Sequence, residues 1–217
     1  MKFKAVIFDL DGTLVDSVAD IADAMNQVLE RYDYPTFTYE EYKIFIGHGL
    51  KNLAEKVIPA PDKTEQLVDE VFKGMLEVYK ANCVVKTKPY PDILSLLNQL
   101  AETDLNLSIF SNKADALTKE IAMTLLPDCF DFVLGLTDET LKKPNPFKAL
   151  EIAKAYNCET TDILFVGDTN VDMQTANNAN MHGVGVTWGF RTKTELEANG
   201  ARYVIDSPLE LLDVLSV

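Results

Sequence analysis

Short runs rich in Val, Ile, Leu and Phe alternate with stretches in which apolar residues recur every three or four positions. The first pattern predicts strands at 4–8, 105–110, 130–134, 163–166, 184–188 and 202–205. The second predicts a helix over 93–101, where Ile93, Leu94, Leu96, Leu97, Leu100 and Ala101 fall on one period, and another over 147–156 behind Pro146. Strands that are apolar almost throughout, joined by helices, belong to a parallel sheet covered on both faces. A last helix is expected from Ser207-Pro208-Leu209-Glu210, which reads as a capping box with proline at the first helical position.

The alternation fails between Val15 and Lys88, where only helical stripes occur. Val18, Ile21, Ala22, Met25, Val28 and Leu29 form the first, ending before Tyr34-Pro35, and Thr38-Tyr39-Glu40-Glu41 is a capping box for a second helix. Leu50, Leu53, Ala54 and Val57 follow a Gly47-His48-Gly49 turn, and Leu67 to Tyr79 make a longer stripe. A helical domain over 15–88 is therefore inserted after the first strand. The remaining domain comprises 1–14 and 89–217, re-entered through Thr87-Lys88-Pro89-Tyr90-Pro91.

Composition narrows the partners. The chain has 217 residues, 47% hydrophobic and 25% charged, which is enough for a substantial core, and its 34 acids against 20 bases give a net charge of −14. Such a surface repels nucleic-acid phosphates and anionic lipid, so neither is an expected partner. No apolar stretch is long enough to span a bilayer. The apolar run 1–14 is cut by Asp9 and Asp11 and lacks a small-residue cleavage site, so it is not read as a leader; the expected compartment is the cytoplasm. Cys83, Cys129 and Cys158 are odd in number and scattered, as befits reduced thiols.

Four polar segments fall at strand ends or helix starts, where open α/β sheets build their sites. They are Asp9-Leu10-Asp11-Gly12-Thr13 after the first strand, Ser111-Asn112-Lys113 after the second, Lys143-Pro144-Asn145-Pro146 before a helix, and Gly167-Asp168-Thr169-Asn170-Val171-Asp172 after the fourth. In their order and spacing these segments resemble the four motifs of the haloacid dehalogenase superfamily, and within it the phosphoglycolate phosphatase-like group with a helical cap. The resemblance covers the whole chain, most loosely in the cap. It implies a Rossmann-like doubly wound parallel sheet with an inserted α-helical cap domain.

The residue chemistry agrees. Asp9 is a carboxylate able to attack phosphorus and carry an aspartyl-phosphate, and Asp11, two residues on, can reach the same side to protonate the leaving alkoxide. Gly12 lets the backbone approach the phosphate closely, Thr13, Ser111 and Asn112 can donate hydrogen bonds to it, and Lys143 adds a fixed positive charge. Asp9, Asp11, Asp168 and Asp172 would repel one another and a phosphate unless a cation sat among them, and all-oxygen ligation fits Mg²⁺. The resemblance assigns that metal to Asp9, the Asp11 backbone carbonyl and the Asp168 side chain, with Asp172 as an outer partner. Asp11 also separates phosphoryl transfer from dehalogenation, since a departing halide needs no acid.

Candidate readers of substrate are His48 and Lys51 in the cap, Arg191 after the fifth strand, and Lys113, which could steady either phosphate or cap. His182 is read as a loop residue. Two positions depart from the family's pattern: Pro89-Tyr90-Pro91-Asp92 lacks the usual glycine, leaving Asp92 as a helix N-cap, and Asn180 replaces a glycine at a helix end. The expected function is Mg²⁺-dependent hydrolysis of a small phosphorylated metabolite such as 2-phosphoglycolate. A sugar-phosphate phosphatase, an inorganic pyrophosphatase, a phosphosugar mutase and a non-catalytic phosphometabolite-binding protein are the alternatives. The sequence sets no oligomeric state.

Overall fold

A computed structural model describes residues 3–216. The chain divides into two compact units, one running to Asp16 and resuming at Pro89, the other being Ser17–Lys88.

The first unit is built on six strands: β1 Ala5–Phe8, β4 Asn106–Ala114, β5 Phe132–Leu136, β6 Ile163–Gly167, β7 His182–Val186 and β8 Tyr203–Ile205. Two short strands, β2 Val15–Asp16 and β3 Lys88–Pro89, flank the insertion. The sheet runs β5-β4-β1-β6-β7-β8 and every pairing is parallel. Renumbered in sheet-forming order this is 3-2-1-4-5-6, the Rossmann-like doubly wound arrangement, whose order reverses between β1 and β6. The crevice outside the carboxyl ends of those two strands is where such a sheet binds ligands. The connecting helices are α5 Ile93–Ala101, α6 Asp115–Leu125, α7 Phe147–Ala155, α8 Asn170–Asn178 and α9 Lys193–Ala198, with α10 Glu210–Ser216 closing the chain.

Side-chain alternation splits β1 between two apolar layers. Ala5 and Ile7 join Phe110, Ile163 and Phe165 in a core cluster completed by Ala149, Ile152 and Ala153 of α7 and by Ala176, Ala179 and Met181 in and just after α8. The intervening Val6 and Phe8 point to the opposite face and are equally buried.

The second unit contains α1 Val18–Glu30, α2 Tyr39–Phe45, α3 Leu50–Val57 and α4 Glu65–Asn82. Its core is formed by Ile21, Met25, Val28 and Leu29 of α1 with Val71, Met75 and Tyr79 of α4. The capping box at Thr38 and Glu41 is present in full. Asn26 binds the Phe37 backbone in both directions, at 2.9 and 3.1 Å, and accepts from the Tyr42 hydroxyl at 2.7 Å, which fixes the link between α1 and α2. The buried carboxylate of Asp20 accepts from the backbone N–H groups of Lys86 and Thr87 at 2.8 to 2.9 Å and from the Thr87 hydroxyl at 2.7 Å. One turn on, Asp23 pairs with the Lys86 ammonium at 2.6 Å. The start of α1 thus holds the segment that leaves the helical unit.

The first unit runs to Asp16, where Val15 donates to Leu10 and accepts from Gly12, folding β2 back onto the turn after β1. Several expectations need correction. Strand β4 runs on to Ala114 through Ser111, Asn112 and Lys113, all buried, so polar residues conceal its last turn outward from the pattern. Strand β7 starts at His182, which is not a loop residue, and ends at Val186. Its Gly183 and Gly185 weaken the strand signature, yet a Cβ at Gly185 would come within 3.0 Å of Leu196, so the α9 helix requires the small residue. The last helix begins at Glu210, whose carboxylate accepts from the Asp206 N–H instead of capping at Ser207. Asp92 does sit at the N-cap of α5, but left-handed (φ 63°) and without a side-chain cap bond among the described residues. Asn180 takes the left-handed conformation (φ 55°) its position calls for. Among the described residues no helix is long and apolar enough to cross a membrane, and all three cysteines are free thiols.

Candidate active site

The register of the sheet brings the acids together. Phe8 stands opposite Val166, and the next residue, Asp9, donates its N–H to the Val166 carbonyl at 2.9 Å. Asp9 therefore leaves the sheet beside Gly167, with Asp168 one step further. Carboxylate oxygens of Asp9, Asp168 and Asp172 all lie within 4.8 Å of one another, and all three residues are buried.

Asp172 reaches this cluster from the first turn of α8. Its Oδ2 accepts from the Thr169 N–H at 3.0 Å and the Thr169 hydroxyl at 2.6 Å, so it closes the helix N-terminus on itself. Its Oδ1 accepts from Lys143 Nζ at 2.6 Å. Gly167 makes room for this approach, since a Cβ there would lie 2.3 Å from the Asp172 Cβ.

Lys143 is the cation of the cluster. Its side chain is 1% exposed and its ammonium is 2.9 Å from Asp9 Oδ1 as well as 2.6 Å from Asp172. The rings of Phe110 and Phe165 lie 5.6 and 5.7 Å from the same nitrogen, adding cation–π attraction from below. Burial works to lower the Lys143 ammonium, but Asp172 and Asp9 outweigh it and the group is raised, so it stays charged. Asn112 sets its place by accepting from the Lys143 N–H at 2.8 Å and donating to the Lys143 carbonyl at 3.2 Å. Asn112 can do so because β4 is irregular there: the rungs Phe110↔Leu134 and Ala114↔Leu136 leave a bulge that holds Ser111, Asn112 and Lys113.

Electrostatically the cluster is unbalanced. Burial, helped by Asp172 and Asp11 and opposed by Lys143, raises Asp9 to about 7. Burial, then Asp172 and Asp9, hold Asp168 well above the usual carboxylate range, against hydrogen bonds from the Phe190 N–H and the Thr13 hydroxyl. With all three carboxylates ionised, one ammonium would leave two negative charges in excess, which is why Asp9 and Asp168 are held toward their protonated forms until another cation offsets that charge. Asp9 Oδ1 is also a buried oxygen with no aligned hydrogen bond among the described residues, because the nearby Lys143 contact is an ion pair off the hydrogen-bonding direction. Hard oxygen donors, a charge excess of two and an oxygen lacking a directed donor suit a hard divalent cation.

The other candidate residues have the following surroundings. Thr13 directs its hydroxyl proton to Asp168 Oδ1 at 3.0 Å. Gly12, at φ +86°, faces Asp168 so closely that a Cβ would fall 2.3 Å from its Oδ2. Lys113, a candidate reader of substrate, is buried, and its ammonium grips both oxygens of Asp11 at 2.7 and 2.8 Å. Ser111 is buried and accepts from the Lys113 N–H at 3.3 Å. Arg191, just before α9, pairs with Glu195 in its first turn at 3.3 Å. Within the helical unit Lys51 pairs with Asp69 at 2.7 Å, and His48 is half-buried in the turn before α3. Sequence reasoning missed Thr169, Trp188, Phe190 and Tyr90. Burial, then the charges of Asp16, Asp168 and Asp11, raise the Tyr90 phenol, so this residue borders the acids. Thr169 was recoverable, since Thr-x-x-Asp opening a helix is a capping pattern; the other three carry no comparable signal.

The sequence profile described as "Haloacid dehalogenase-like hydrolase" matches residues 6–186, spanning both units and all four motifs. The chain belongs to the haloacid dehalogenase-like hydrolase family. Among curated relatives of this hydrolase, the phosphoglycolate phosphatase of Aquifex aeolicus is 32% identical over 98% of this chain and 96% of its own. That of Neisseria meningitidis is 31% identical over 91% and 86%. A solved structure from Lactobacillus delbrueckii subsp. bulgaricus, provisionally named a phosphoglycolate phosphatase, superposes with a TM-score of 0.92 at 30% identity, covering 99% of both chains.

Proposed function

We propose that this hydrolase cleaves a small phosphomonoester through an aspartyl-phosphate on Asp9, with Mg²⁺ as its cofactor. The observation that carries the reading is the convergence of Asp9, Asp168 and Asp172 around the buried ammonium of Lys143. The residues fit Mg²⁺ by donor type and charge; Asp9 and Asp168 would hold it, with Asp172 behind them. Bound there, Mg²⁺ would supply positive charge against the phosphoryl oxygens as charge develops on them.

The chain's own groups divide the work. The Asp9 carboxylate attacks phosphorus while the bond from phosphorus to the ester oxygen breaks. Asp11 gives its proton to the departing alkoxide, then takes one from the water whose oxygen attacks phosphorus as the bond to Asp9 breaks. Both oxygens of Asp11 accept from Lys113 in this structure, so the acid step requires that pair to open. Lys143 keeps its proton throughout and holds the nucleophile against its own tendency to protonate. Asp168 is fixed from two sides by Thr13 and Phe190. The names borne by the relatives support a small phosphorylated acid, 2-phosphoglycolate, as the substrate to try first.

The test is phosphate release from a panel of phosphomonoesters with Mg²⁺ or with chelator, for wild type and Asp9→Asn. Turnover is expected only for wild type with metal. Near wild-type turnover by Asp9→Asn would sink the nucleophile, and no release from any ester would favour a mutase or a binding protein.

A further inference from the structure

The loop after β7 belongs to none of the four motifs, yet it closes a ring of hydrogen bonds around Asp168. The indole Nε1 of Trp188 donates to the Thr13 carbonyl at 2.9 Å. The Thr13 hydroxyl donates to Asp168 Oδ1 at 3.0 Å, and the Phe190 N–H donates to Asp168 Oδ2 at 2.8 Å. Gly189 lies between the two loop donors, with its backbone flat against its neighbours: a Cβ there would stand 2.3 Å from the Asp168 Cβ and 2.4 Å from the Gly12 carbonyl oxygen. The ring therefore joins the turn after β1, the end of β6 and the loop after β7. It engages both oxygens of one carboxylate and the backbone of the turn that carries Asp11 and Gly12.

We infer that Trp188 is a positioning residue for the cation cradle. Its indole N–H fixes the Thr13 backbone, Thr13 fixes one oxygen of Asp168, and the loop's own Phe190 N–H fixes the other. This rests on the reading above, in which Asp168 helps to hold a divalent cation. A carboxylate orients its remaining lone pairs only as well as its other partners hold it, and groups behind metal ligands govern affinity for that reason. Trp188 can act in this way because indole offers a single directed donor, which phenylalanine of similar shape lacks.

Trp188→Phe deletes the donor and keeps an aromatic ring. Mg²⁺ is titrated calorimetrically into the whole protein without substrate, apo thermal unfolding is recorded, and KM for a hydrolysed phosphomonoester is measured at saturating Mg²⁺. Mg²⁺ binding is expected to weaken about 10- to 100-fold with KM unchanged. Gly189→Ala, which pushes on Asp168 from the same loop, should shift Mg²⁺ affinity in the same direction. A folded Trp188→Phe whose Mg²⁺ affinity stays within about twofold of wild type overturns the inference alone. Failure of both variants to fold overturns it by giving the loop a purely structural role. Absence of Mg²⁺ binding by wild type overturns both this inference and the reading of the site on which it rests.

Discussion

Lys143→Met tests whether the buried ammonium holds the acid cluster together. Methionine follows the lysine stem past Phe110 and Phe165 and removes only the charge, leaving Asp9 and Asp172 facing each other without it. Removing one partner of a buried ion pair costs about 3–5 kcal/mol. For a chain of this length each kcal/mol moves Tm by about 2–4 °C, so a fall of roughly 6–20 °C is expected in chelator at pH 8. At pH 5 the loss should be clearly smaller. Asp9, raised to about 7 by burial, already carries its proton there in the wild type and loses little when the ammonium goes. Circular dichroism melts at both pH values with EDTA measure this directly. An equal fall at pH 5 and pH 8, or none at pH 8, would refute the argument.

Asn112→Ala should destabilise by about 2–4 kcal/mol in urea melts, because both polar groups of the buried Lys143 backbone lose their partner, and Asn112→Asp should cost at least as much at pH 8, because it sets an oxygen against the Lys143 carbonyl and buries another anion beside the acids. The metal-free protein should lose stability as pH rises from about 4 to about 7, since the folded form binds a proton at Asp9 that the unfolded chain has already released; the Tm increase given by Mg²⁺ should grow over the same window, and a constant increase would contradict it. Thr169→Ala removes the hydroxyl bond to Asp172 and should cost about 1 kcal/mol in thermal unfolding while lowering turnover, because Asp172 loses its anchor beside Lys143. Thr38→Ala should cost a similar amount through the loss of the α2 cap and leave turnover per folded molecule intact, as the capping box lies within the helical unit.

Periodicity served where a segment's burial is decided by its apolar residues alone. Helix α5 has the bounds its stripe predicts because Ile93, Leu96, Leu97 and Leu100 face one core. Reading failed where tertiary contact overrides composition: Ser111, Asn112 and Lys113 continue a strand although polar, since their partners are inside the protein, and Gly183 and Gly185 form strand by pairing with β6 where the packed helices leave little room for a side chain. In the site, Asp9 and Asp168 could be brought together on paper by two strand ends. The partners of the charges could not. That Lys113 meets Asp11, or that Trp188 reaches Thr13, depends on side-chain directions across 102 and 175 positions of sequence, which no local pattern encodes.

Asp20 bears on how this architecture tolerates its own interruption. Closing a flexible loop of about 70 residues between β1 and the rest of the sheet costs about 2 kcal/mol more than closing one of about seven. By fastening the segment at Lys86 and Thr87 to the opening turn of α1, Asp20 leaves the sheet with the shorter loop to close. The helical unit is thereby a cassette whose two leads are already joined. Grafts between relatives should keep Asp20 and Thr87 on the same piece, with junctions at or outside Ser17 and Lys88; a chimaera that parts them hands the full loop-closure cost back to the sheet.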